Sequence, residues 1–114
     1  MHGQRWVYRI GNSVVCIDNG FAWIGWAQER MVVNDETVQS SDGWWRMRQD
    51  YFEPWIVPGG DGVLRVTLVA GMWSINCSAD LDGAPLEAVE TLKATWSGPT
   101  GTWPDDAAWV PARS

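Results

Sequence analysis

Histidine occurs once, at His2, and cysteine twice, at Cys16 and Cys77. So few ligating side chains exclude the recognisable zinc spacings, which need four donors of these types. Ser/His/Asp and Cys/His catalysis are disfavoured for the same reason. The one imidazole lies next to the first residue, at an end expected to fray, where no nucleophile can count on it as a positioned base. Basic residues are also scarce: 8 Lys+Arg against 14 Asp+Glu leave a net charge of −6. That is the wrong field for a nucleic-acid backbone or an anionic membrane surface. No apolar run approaches the roughly 20 residues that span a bilayer. The opening MHGQRW carries no signal-peptide pattern. The expectation is a cytoplasmic chain with no membrane or nucleic-acid partner, no metal and no cofactor.

What the chain does have is tryptophan, ten residues in 114. A chain of this length is one domain, 1–114, able to close a single core without a metal or a disulfide. Its 46% hydrophobic and 19% charged residues are those of a globular protein. Each aromatic ring can bury roughly 150–250 Å², so a few indoles supply much of a small core. Ten are hard to hide in it.

Strand patterns dominate. Trp6, Tyr8 and Ile10 alternate with Val7 and Arg9 up to Gly11-Asn12, a first strand. Val14 to Trp26 holds two apolar arms around Asn19-Gly20, which predicts a hairpin with a type I′ turn there. Asn34-Asp35, between RMVV and ETVQ, predicts a second. Pro54 belongs at an edge or a strand end because it has no N–H for a ladder, and Pro58–Gly62 is a surface loop. From Trp73 to Leu81 the alternation is cleanest, with Trp73, Ile75, Cys77, Ala79 and Leu81 inward, and Asp82-Gly83 turns the chain. Leu86 to Trp96 fits a strand or a helix. The tail offers one helical turn after Pro104, with Trp103 and Trp109 pinning it to the body. Cys16 and Cys77, both within strand patterns, suit buried reduced thiols. An immunoglobulin arrangement fails because Ile75 occupies the place of that fold's corner tyrosine. The fold class is all-β, a single antiparallel β-sandwich or partly open barrel of about seven or eight short strands, with at most one short helix near the C-terminus.

The order MVVNDETV, an aromatic stretch, YFEPW, a long strand and then SADLDGAPLE resembles one β-sandwich domain of the Fas apoptosis inhibitory molecule family. The resemblance covers about Met31 to Glu87 and rests on Asn34-Asp35 and Asp82-Gly83. It implies a non-enzymatic sandwich that works by contacting other proteins, and it transfers no functional residue. The tryptophan load departs from that family.

Chemistry is sparse. Asp42, Asp50, Glu53 and Asp61 cluster around loops and read as solvated turn carboxylates, with a glycosidase-like pair as the sharper reading. Gly59–Gly62 lacks the lysine and following helix of a phosphate loop. The informative stretch is GWWRMRQDYFEPW. As a strand it puts Trp44, Arg46 and Arg48 on one face and Trp45, Met47 and Gln49 on the core face. Tryptophan and arginine are enriched at the energetic centres of protein interfaces. The candidate binding residues are therefore Trp44, Arg46, Arg48, Trp55 and Trp26. The expected function is a non-catalytic protein-interaction domain that self-associates through this tryptophan/arginine surface. The alternatives are a carbohydrate-binding module with indole platforms and a small acid-base enzyme with a carboxylate in an aromatic pocket. On the inward face, Trp73→Ala is expected to cost about 3–5 kcal/mol in denaturant unfolding; a loss under about 1 kcal/mol would show that this face is not the core.

Overall fold

The computed structural model describes residues 1–22, 25–44, 52–57, 60, 62–70 and 75–112, with the side chains of residues 44, 69 and 70 left aside. Among the described residues ten strands form two antiparallel sheets. The six-stranded sheet contains β1 (His2–Ile10), β2 (Ser13–Ala22), β3 (Trp26–Val33), β4 (Glu36–Trp44), β9 (Glu90–Thr95) and β10 (Val110–Pro111), in the order β10-β9-β1-β2-β3-β4. The four-stranded sheet runs β5 (Trp55–Val57), β6 (Gly62–Ala70), β7 (Ile75–Leu81), β8 (Ala84–Leu86). One 3-10 turn, Asp106–Ala108, follows Pro104. The all-β fold class holds, with more strands than the pattern suggested. The ambiguous stretch after Leu86 resolves as strand β9.

The core is the contact between the inner faces of the two sheets. Trp6, Tyr8 and Ile10 of β1 and Val15 and Ile17 of β2 meet Val57, Leu64, Val66, Leu68 and Ala79 of the smaller sheet. Ile75, Cys77 and Leu81 pack against this cluster, as their alternation requires. Trp73 lies outside the described residues. Asn34 and Asp35 take φ of 48° and 68°, and Asp82 and Gly83 take 51° and 86°, the positive pairs a type I′ turn needs.

Asn19-Gly20 is not a turn. Strand β2 runs straight through it, with Asn19 opposite Gln4 and Glu29, and Gly20 opposite Gly3 and Gln28. Strand β2 ends at Ala22 and β3 begins at Trp26, and the Gly25 N–H donates to the Ala22 carbonyl at 3.0 Å. The physical reason is long-range. A Cβ on Gly3 would stand 2.8 Å from Cζ3 of Trp96, and one on Gly20 would stand 3.2 Å from its Cη2. Glycine is required here so that an indole can lie on the sheet. His2 does not fray either: it is the first residue of β1, paired with Phe21 and Thr95.

Both cysteines are free thiols. Cys16 stands on the outer face of the large sheet, whereas Cys77 points into the sandwich, where the Tyr8 hydroxyl donates to its Sγ at 3.4 Å. Burial raises both thiol pKa values and pushes Cys77 up to about 11 from an ordinary 9.0, the Tyr8 hydrogen bond opposing the rise. Tyr8 is itself raised by burial and by Cys77. A raised native pKa means that the unfolded thiol ionises first. This contribution is therefore intact below pH 9 and is lost between pH 9 and 11, by about 2 kcal/mol at pH 10.5. Denaturant midpoints at pH 8 and 10.5 should show this loss in the wild type and a smaller one in Cys77→Ala. An equal drop in both would dismiss Cys77 as its source.

Among the described residues no helix is long and apolar enough to cross a membrane.

Candidate functional site

Four buried polar side chains, Asp18, Asn19, Gln28 and Glu29, sit side by side in the middle of β2 and β3. Pleating sends Asn19 and Glu29 to the inner face and Asp18 and Gln28 to the outer one. Polar groups cut off from water must be paired, and the two faces differ in how completely they are.

On the outer face, Arg5, Asp18 and Arg30 stand in one cross-strand row on β1, β2 and β3. Arg5 binds Asp18 bidentately, Nε to Oδ1 at 2.6 Å and Nη2 to Oδ2 at 2.8 Å, and Arg30 Nε donates to Oδ2 at 2.7 Å. The Asp18 side chain has 0% exposure and those of Arg5 and Arg30 have 12% and 16%. Burial alone lowers the Arg5 pKa, but the Asp18 hydrogen bonds and charge outweigh it, and the net direction is up. A planar guanidinium tolerates an aromatic ceiling, and each one has it. The Arg5 Cζ lies 4.6 Å from the Trp109 ring centroid, and the Arg30 Cζ lies 4.5 Å from that of Trp103.

Those indoles belong to the segment after β9, which folds back as a clasp over the outer face. Trp96 lies over Gly3 and Gly20, stacked on Trp103 at 6.1 Å and tilted against Trp109 at 6.2 Å. Gln28 holds the clasp by its main chain: Gly101 N–H donates to Oε1 at 2.8 Å, and Nε2 donates to the Thr102 carbonyl at 2.7 Å. Trp26 Nε1 donates to the same Oε1 at 3.0 Å, and Trp96 Nε1 to the same Thr102 carbonyl at 3.2 Å. Strand β10 then adds two residues beside β9.

On the inner face, Asn19 Nδ2 donates to Glu29 Oε2 at 3.2 Å. Asn19 Oδ1, like Trp109 Nε1 in the clasp, has no hydrogen-bond partner among the described residues. No group of three or more His, Cys, Asp or Glu side chains there is placed to hold a metal ion.

Of the residues singled out by sequence, Arg46 and Arg48 lie outside the described residues, as do Trp45, Met47 and Gln49. Trp44 ends β4, directly opposite Trp26 of β3. Trp26 is half-buried on the outer face. Trp55 is half-buried on the other sheet, opposite Leu64 and packed against the core, so Trp26 and Trp55 do not share a surface. Asp42 and Glu53 are exposed. The sequence reading missed Arg5, Asp18, Gln28 and Arg30. One sign was available: Asp18 interrupts an otherwise apolar arm. Among the described residues, tryptophan and arginine meet between the sheet and the clasp.

Asp18→Asn leaves two arginines facing each other without their counter-charge, and the expected loss is about 3–5 kcal/mol. Replacing the row as a whole with Arg5→Met, Asp18→Leu and Arg30→Met should cost less than the single change. Denaturant titration of both variants checks the order; the reverse order would show that the charges matter less than the packing.

No family model, curated protein or solved structure matches this chain.

Proposed function

We propose that the chain is a non-catalytic, cytoplasmic protein-interaction domain that self-associates. The observation that carries this reading is the edge of the large sheet. β4 is nine residues long, and among the described residues no strand pairs with its far side. It holds neither lysine nor proline, two of the guards of an exposed edge, although a β-bulge shifts its register to β3 between Met31 and Val32, and it ends at Trp44, in register with the half-buried Trp26. A long edge strand that ends in tryptophan suits addition of a strand from a partner. In the chain, Arg46 and Arg48 follow directly, residue types that anchor interfaces. The resemblance to the Fas apoptosis inhibitory molecule family points to the same functional class.

A second reading, a carbohydrate-binding module, draws on a different feature. Trp96 and Trp103 line an open depression of about 360 Å³, with Ser97, Thr102 and Asp105 on its walls. Indole faces beside hydroxyl and carboxylate groups suit a sugar ring. A glycan panel titrated against intrinsic tryptophan fluorescence tests it.

For the first reading, sedimentation velocity of the wild type, Trp44→Ala and Arg46→Glu/Arg48→Glu, all folded by circular dichroism, should show a wild-type dimer and at least about tenfold weaker assembly in both variants. A monomeric wild type would leave only an external partner. A dimer unaffected by either variant would place the contact elsewhere.

A further inference from the structure

The clasp is recognised in the manner of a bound peptide. Gln28 reads the main chain of Gly101 and Thr102, Arg30 and Arg5 receive Trp103 and Trp109, and β10 extends the sheet by Val110–Pro111 with one further bond from Ala112 N–H to the Thr91 carbonyl. Every one of these docking groups is carried by any other copy of the chain. The link to β9, residues 97–100, is exposed. Among the described residues its hydrogen bonds close its own turn: Thr102 N–H and Oγ1 both donate to the Pro99 carbonyl, at 3.3 and 2.6 Å.

We infer that residues 101–112 form an exchangeable arm that docks on the outer face of a second copy's six-stranded sheet, reproducing between chains the contacts it makes within one. This rests on the self-association reading above and supplies it with a second, reciprocal surface. Charge complementarity supports the occupant. The Arg5–Asp18–Arg30 row carries a net positive charge, and the arm brings Asp105 and Asp106, of which Asp106 raises the Arg5 pKa. Area supports it too. Two exchanged arms carry four indoles worth roughly 600–1,000 Å² at about 150–250 Å² each. The faces they cover then bring the total into the range of about 1,200–2,000 Å² found in stable complexes. Exchange adds no new contact chemistry, so the balance between closed monomer and exchanged dimer is set by the hinge and by concentration.

Lys93 and Val110 are directly opposed across β9 and β10 and both are exposed, so the full chain carrying Lys93→Cys/Val110→Cys reports which β9 an arm has joined. The protein is equilibrated at high concentration, sedimented, oxidised and run on a denaturing gel without reductant, with the two single-cysteine chains as controls for linkage through Cys16 or Cys77. A second variant, lacking Gly98 and Pro99, shortens the hinge so that the arm cannot turn back on its own sheet. The expected result is a dimer with its two chains joined by disulfide, and at least a tenfold shift toward dimer in the shortened chain. A dimer whose engineered disulfides all fall within single chains would overturn arm exchange and leave self-association standing. A shortened chain that is folded and monomeric would overturn the exchange as well, and a wild type monomeric beside it would overturn self-association too.

Discussion

A carboxylate with no exposed surface cannot stay ionised unless cations reach it, and Asp18 draws Arg5 and Arg30 from the two flanking strands. That pairing sets the character of the whole outer face. Two guanidinium groups are held on one carboxylate, and a planar, weakly hydrated cation is well covered by an indole. Trp103 and Trp109 supply the cover. The flat seat at Gly3 and Gly20 lets Trp96 lie close beside them. The clasp is thus a response to a buried charge as much as to apolar surface.

Among the described residues, part of the tryptophan surplus gathers in the same place. Trp6 lies in the sandwich core and Trp55 packs against it, while Trp96, Trp103 and Trp109 build a further layer on the outside of the large sheet. A two-sheet sandwich of this length has one core. Here a second, mixed layer of indole, arginine and main-chain amide is added by 16 or so residues of irregular chain, roughly the span that a single functional loop occupies.

Much of the fold was legible, because it depends on local pattern. Trp6, Tyr8 and Ile10 point inward as their period of two dictates, Asn34-Asp35 and Asp82-Gly83 turn where their tolerance of positive φ allows, and Trp103 and Trp109 do tie down the tail. What was not legible depends on residues far apart in the chain. Asn19-Gly20 carries a strong turn signal, but it is overruled by an indole 76 positions later that needs Gly20 flat and by a buried Glu29 that takes the Asn19 amide. The Arg5–Asp18–Arg30 row depends on the register of two separate ladders, and a one-residue slip in either would break it. Interface logic looked for tryptophan and arginine together within one strand, at Trp44, Arg46 and Arg48, and the two arginines lie outside the described residues. Among the described residues, arginine and tryptophan meet across three segments of chain, β1, β3 and the clasp.

Strand β1 lies between β2 and β9, and the Met1 ammonium donates to the Trp96 carbonyl across 95 residues of sequence. The meander from β1 to β4 needs only neighbouring segments, whereas closing β9 onto β1 must gather nearly the full length of the chain, a step slowed by loop entropy. During synthesis the Arg5–Asp18–Arg30 row can therefore form long before Trp103 and Trp109 have been made. Until those residues follow, the guanidinium groups of Arg5 and Arg30 lack the indoles that cover them.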